Sequence, residues 1–226
     1  MKLLCISASN TQSMGALSTS TKVGYLIQNI VNKEHENISV EVIALSDYDL
    51  KVCRLCGACS DSGRCSSDTA FNQLLTKIEA ADGIFFIVPH YSPIPAKLIM
   101  IFEKINEIMY AGWLNKPEFK ASWDGLPVAI IGHGGMVETA DNLRYYHDQL
   151  VATVAKTLRS FSFLTIGLNE DYLDGACFGL QDDSCIRTRE DAVFPDIIQD
   201  FTKVEQRIEP LVWKMILKIL ENEASK

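Results

Sequence analysis

The sequence predicts a doubly wound α/β domain, a five-stranded parallel sheet with helices on both faces. Three observations point to it. Five short apolar runs alternate with segments whose apolar residues recur at helical spacing. Two of the runs, GIFFIVP (83–89) and LPVAIIG (126–132), are apolar without interruption, as strands covered on both faces are. No repeat or low-complexity linker breaks the alternation. Parallel neighbours need long crossovers, which are usually helical, so the alternation itself implies the layers.

Taken in order, KLLCISA (2–8) is a first strand that runs into a Ser/Asn/Thr/Gly-rich segment. STSTKVGYLIQNIVNK (18–33) then spaces Val23, Leu26, Ile27, Ile30 and Val31 as one helix face. ISVEVIAL (38–45), rich in β-branched residues, is the second strand; a cysteine-bearing loop and a helix through FNQLLTKIEAA follow it. GIFFIVP is the third strand, residues 96–109 a helix, LPVAIIG the fourth strand, 139–158 a helix, and SFLTIGL (162–168) the fifth strand. Beyond residue 168 the pattern changes. NEDYLDGACFGLQDDSC reads as acidic and irregular, and Phe201, Val204, Ile208, Leu211, Val212 and Met215 then mark amphipathic helices bent at Pro210. This extension, 169–226, is expected to belong to the same domain as 1–168.

The 226 residues suffice for one elaborated domain with a sizeable core, and 47% hydrophobic against 22% charged residues is an ordinary globular balance. A net charge of −8 disfavours nucleic acid and anionic membranes, whose phosphates it would repel. The N-terminal apolar run is too short for a secretion signal, and no segment approaches the ~18 apolar residues of a membrane span, so a cytoplasmic protein is expected.

In such sheets ligands bind beyond the carboxyl ends of the strands, near the reversal of strand order. Three loops qualify. SASNTQSMGALSTST (7–21) lacks both GxGxxG and GxxxxGK[ST], which argues against a dinucleotide fingerprint or a P-loop. Its hydroxyls crowd before a helix, where backbone N–H groups can hold a phosphate; Ser9, Thr11, Ser18, Thr19, Ser20 and Thr21 are candidates, and the same residues also make ordinary N-caps and turns. PHYSPIP (89–95) is stiffened by three prolines and offers the Tyr91 ring to a planar ligand, unless it is merely a proline-rich strand exit. GHGGMVET (132–139) brings three glycines and His133 to the same edge, where glycine permits close backbone approach; a lone His there is more often a satisfied loop residue than an acid or base.

The fourth feature is the run Cys53, Cys56, Cys59 and Cys65, spaced CxxCxxCx5C. In a reducing compartment such thiols read as metal-binding or redox-active before structural disulfides, and four in so short a span can converge on a [4Fe–4S] cluster. Gly57 and Gly63 allow tight turns, and Arg54 and Arg64 would offset negative charge. Zinc modules usually separate two CxxC knuckles by a longer linker, and a bare thiol cluster activated by the arginines is the other alternative. Cys5 reads as a core residue, while Cys177 and Cys185 show no partner pattern.

Together the SASN…STST loop, the cysteine block, ADGIFFIVPHYSPIPAKL and GHGG resemble the flavodoxin-like NADPH-dependent FMN reductase family and, within it, the iron-sulfur flavoproteins. The resemblance covers roughly the first 165 residues. It implies a flavodoxin-like fold in which Ser9, Thr11, Ser18, Thr19 and Ser20 surround an FMN phosphate. Pro89, His90, Tyr91, Ser92 and Ile94 would border the isoalloxazine, with Gly132, His133, Gly134 and Gly135 on its other side. Cys53, Cys56, Cys59 and Cys65 would hold a cluster, although flavodoxin-like reductases with similar cysteine blocks need not keep one. Two departures stand out: the first loop has no arginine, and the third helix reads FEKIN where the family often carries an Asp-Arg pair.

The expected function is an FMN-dependent NAD(P)H oxidoreductase, or an iron-sulfur flavoprotein served by a ferredoxin-like donor, in a homodimer or homotetramer. No side chain is expected to act as a catalytic acid or base, since the cofactor carries the chemistry. The alternatives are a flavodoxin-like electron carrier without a substrate and a zinc-stabilised binding module.

Overall fold

The computed structural model describes residues 1–11, 18–35, 37–60, 62–181, 186–187, 197–198 and 201–224. Residues 12–17 of the first loop and Cys185 lie outside these. Strands β1 (Lys2–Ser7), β2 (Ser39–Ala44), β3 (Gly83–Pro89), β4 (Pro127–Val137) and β5 (Leu164–Ile166) form a parallel sheet in the order β2-β1-β3-β4-β5. The chain winds outward from β1 to β2 and then returns to β3 on the other side of β1, so the order reverses between β1 and β3. This is the five-stranded doubly wound architecture the sequence predicts.

Strand alternation divides the core in two. Leu4, Ile6, Ile84, Phe86, Val88, Val128 and Ile130 face one layer, with α2 (Thr69–Glu79), α3 (Ala96–Asn115) and α5 (Ala152–Ser160). Their sequence neighbours Leu3, Cys5, Phe85, Ile87, Ala129 and Ile131 face the other layer, with α1 (Thr19–Glu34) and α6 (Phe201–Ala224). A period of two in strands buried on both faces requires such a division. The helix expected over 139–158 is α4 (Ala140–Tyr146) joined to α5 through a π-helical turn, His147–Val151.

Three expectations are corrected. GHGG is not a loop, because β4 continues through it to Val137. The stretch after residue 168 contains a sixth strand, β6 (Ala176–Gln181), parallel to β4 at 131–137. Strand β5 pairs only with 127–129 of β4, and β3 occupies the opposite side, so β6 completes the edge that β5 leaves unpaired. Finally, α6 is one helix running through Pro210, not several. Two short strands, β7 (Ile186–Arg187) and β8 (Ile197–Ile198), pair antiparallel between β6 and α6.

The apolar face of α6, including Val204, Ile208, Leu211, Val212 and Met215, is buried against α1 and the sheet. Trimming this contact should be felt globally: Ile208→Val is expected to cost about 1 kcal/mol and to lower the Tm by roughly 2–4 °C. A thermal melt with no shift would contradict a shared core.

Candidate functional site

At the reversal of strand order the segments leaving β1 and β3 meet. The Tyr91 hydroxyl lies 3.4 Å from both Ser9 Oγ and Thr11 Oγ1, and Thr11 N donates to Ser9 Oγ at 3.2 Å. Tyr91 nevertheless remains 44% exposed. Ser92 is exposed, while Ile94 is half-buried against the core and anchors the proline-rich segment.

The start of α1 is tied inward. Ser18 is its N-cap, its Oγ accepting from Thr21 N at 3.3 Å, and Thr21 Oγ1 donates to Ser7 Oγ at 2.9 Å. Ser20 Oγ lies 2.7 Å from His133 Nε2 in a buried contact. The hydroxyls of Ser18 and Ser20 thus already have partners within the protein. Thr19 is half-buried, and no hydrogen bond engages its hydroxyl among the described residues. Together with the backbone N–H groups of the first turn, it is the group left to meet an anion there.

His133, within β4, lies opposite Pro89, the last residue of β3. Its carbonyl accepts from His90 N at 2.6 Å, and its ring stacks on Phe178 of β6 with centroids 5.2 Å apart. The side chain is 3% exposed, and burial pushes its pKa down to about 3, so the imidazole is neutral. Its Nδ1 has no partner among the described residues. His133 therefore braces α1 through Ser20.

The glycines around it serve different ends. A Cβ at Gly132 would lie 2.6 Å from Val151, and one at Gly134 would run into the Tyr146 ring, so packing demands both glycines. A Cβ at Gly135 would meet nothing within 4 Å. Beside Gly135 a recess is lined by His90, Met136, Asn142, Tyr145 and Tyr146. The His90 ring leans on both tyrosines, with centroids 5.3 and 5.5 Å away, and its buried Nε2 lacks a partner among the described residues. The tyrosines and Phe178 are absent from the sequence expectation; the YY pair at 145–146 was the available signal.

The cysteine segment folds over α2 and α3, and its ends are fixed. Lys97 on α3 donates to the carbonyls of Leu45, Ser46 and Tyr48 at 2.7–3.0 Å, holding the entry. Lys51 N donates to Asp68 Oδ2 at 2.8 Å, and Asp68 Oδ1 caps α2 by accepting from Phe71 N at 2.9 Å. Lys104, on α3, pairs with Asp68 at 2.9 Å and also donates to the Lys51 carbonyl. Burial works against the Asp68 charge, but the bonds from Phe71 N, Lys104 and Lys51 N outweigh it and hold the carboxyl below its usual range. Cys65 is fixed at both backbone groups by Asn72, each bond 2.8 Å.

Between these ends Cys53, Cys56, Cys59 and Cys65 line one recess with Phe71, Lys104 and Glu107. Leu55, Gly57 and Gly63 adopt positive φ of 51°, 69° and 62°, the tight turns expected around the thiols. Every cysteine among the described residues is a free thiol. No group of three or more His, Cys, Asp or Glu among them is placed to hold a single metal ion. One expectation is corrected: Arg64 does not face the thiols but pairs with Glu79, which also accepts from Ser122 Oγ at 2.9 Å. Burial pushes the Cys59 thiol up, not down, and raises Cys177, within β6, to about 12. Cys5 is a core residue, as expected.

A family model described as NADPH-dependent FMN reductase matches residues 1–165. The iron-sulfur flavoprotein of Methanosarcina thermophila is 29% identical over 72 residues, 31% of this chain, so the chain spans only 38% of that curated relative's length. Among solved structures, FerB, a flavoenzyme NAD(P)H:(acceptor) oxidoreductase from Paracoccus denitrificans, is 14% identical with a TM-score of 0.55 over 97% of both chains. An FMN-dependent NADH-azoreductase from Bacillus anthracis, in complex with FMN, is 17% identical with a TM-score of 0.52, covering 93% of this chain and 95% of that one. These two likenesses concern the fold. No helix among the described residues is long and apolar enough to cross a membrane.

Proposed function

This chain belongs to the NADPH-dependent FMN reductase family, and from that premise we propose that it binds FMN at the carboxyl edge of β1, β3 and β4 and works as an NAD(P)H-dependent flavin oxidoreductase. The observation that carries the reading is the Tyr91 bridge, where one aromatic residue just after β3 closes onto Ser9 and Thr11 of the segment that follows β1, at the reversal of strand order. The site suits the cofactor. Thr19 and the first N–H groups of α1 would hold the phosphate, Ser9 and Thr11 would meet the polar chain, and Pro89, His90, Tyr91, Ser92 and Ile94 would border the ring. The backbone from Gly132 to Gly135 would lie along its other side, and the unpartnered Nε2 of His90 is a polar atom such a ligand could satisfy.

When bound, FMN supplies hydride acceptance from a nicotinamide and delivery of electrons to an acceptor. The residues bind, orient and exclude water. Neutral His133 adds no charge beneath the site and fixes the first turn of α1. Tyr91→Ala is expected to weaken FMN binding at least about tenfold by removing the aromatic face and the bridge. Quenching of FMN fluorescence measures it, and wild-type affinity would refute the placement. Oxidation of NAD(P)H with a quinone or free flavin as acceptor separates the enzyme from a flavodoxin-like carrier, which would not turn over.

A second limb concerns the thiols. Four free cysteines lining one recess, on a segment with fixed ends, support a [4Fe–4S] cluster held by Cys53, Cys56, Cys59 and Cys65. Ligands spread around a recess suit a cube better than one zinc ion, whose four donors must meet at a point. A cluster, when bound, exchanges electrons singly, which fits a ferredoxin-like donor.

A further inference from the structure

Lys104 is the one lysine among the core's buried polar residues within the described chain, at 3% exposure, and its partner Asp68 is 1% exposed. Lysine is almost never buried without a partner, and a hydrophobic side chain of similar volume commonly packs such a position at no loss of stability. The position carries two features that packing does not require. Through Lys51 and Asp68 the ammonium joins the residues just outside Cys53 and Cys65, so it closes the cysteine segment into a loop of fixed ends. It also lies 5.3 Å from the centre of the Phe71 ring, in the floor of the recess that all four thiols line.

We propose that Lys104 is a positioning residue of the cysteine centre, clamping the ends of its loop and setting beneath the thiols a positive charge that raises the centre's reduction potential. The electrostatic half rests on the cluster reading above; the clamp does not. Reduction moves one electron from a donor, reduced flavin in the protein or dithionite in a titration, onto the centre, with no bond made or broken. The centre gains one negative charge, and the buried cation of Lys104 nearby stabilises that form. Asp68 partly cancels the effect, Glu107, which also lines the recess, opposes it, and the exposed Arg54 lines it as well.

The test compares the full-length wild-type protein, Lys104→Met, Asp68→Asn and the double variant, prepared without oxygen and assayed for iron and sulfide. Asn keeps the cap on α2. Potentiometric titration with dithionite should move the potential down in Lys104→Met, up in Asp68→Asn, and leave the double variant near wild type. A merely structural role would move both single variants the same way, and that result, or no shift, overturns the electrostatic half. In metal-free protein, alkylation of the half-buried Cys53, Cys59 and Cys65 by iodoacetamide should run about tenfold faster in Lys104→Met, because the loop opens more often, while the exposed Cys56 should change little. An unchanged rate overturns the clamp. Wild-type protein lacking iron and sulfide would overturn the electrostatic half together with the cluster reading, and the alkylation rates would still decide the clamp.

Discussion

Gly134→Val is expected to abolish FMN occupancy and to lower the Tm by roughly 2–12 °C. The first added carbon would overlap the Tyr146 ring, closer than any real side-chain contact. That ring cannot retreat cheaply. Tyr146 is 1% exposed, its hydroxyl accepts from Met136 N at 2.8 Å, and its ring leans on His90. Overpacking of this kind costs about 1–3 kcal/mol, and each kcal/mol moves the Tm of a domain this size by roughly 2–4 °C. Moving Tyr146 also moves His90 and the strand end beside the proposed ring site, so binding should suffer more than folding. Gly135→Ala is the control: its Cβ meets nothing within 4 Å, and its Tm should match wild type. Calorimetry with FMN titration reads both effects, and a Gly134→Val variant that binds FMN normally would place the ring elsewhere.

His133 should make the fold acid-labile. In the unfolded chain its imidazole titrates near the usual value of 6.5, whereas burial pushes the folded value down to about 3. The unfolded state therefore binds a proton that the folded state refuses, and stability present above pH 6.5 is lost as the pH falls towards 3. At about 1.4 kcal/mol per pKa unit the full loss is roughly 5 kcal/mol. In His133→Gln, which keeps a donor for Ser20 and does not titrate, stability should decline less between about pH 6.5 and 4. Urea melts at about pH 7 and pH 4.5 measure the difference; parallel pH dependence in the two proteins would contradict a buried neutral His133.

What the sequence made legible follows from what is local. GIFFIVP is apolar at every position because β3 is covered on both faces, and that pattern needs no knowledge of its neighbours. ACFGLQ was unreadable as β6 because it is broken by Gly179 and set among acidic residues; it is a strand because β4 has an open edge beyond β5. The glycines of GHGG look like a loop, yet two are demanded by side chains from the turn and helix after β4, a tertiary fact with no local trace. Lys104 sits in a helix whose pattern gives no sign that it is buried, since its cover is the cysteine segment folded across from elsewhere. Ser18 could be named from its place before a helix, but the bond between Ser20 and His133 spans 113 residues and could not.

The central claim is that the carboxyl edge closed by Tyr91 holds FMN. The most direct measurement is the absorbance spectrum of the purified full-length protein, followed by titration of the flavin-free protein with FMN. The account predicts flavin bands or stoichiometric uptake of FMN with quenched fluorescence, weakened in Tyr91→Ala. A folded protein that takes up no FMN would contradict it.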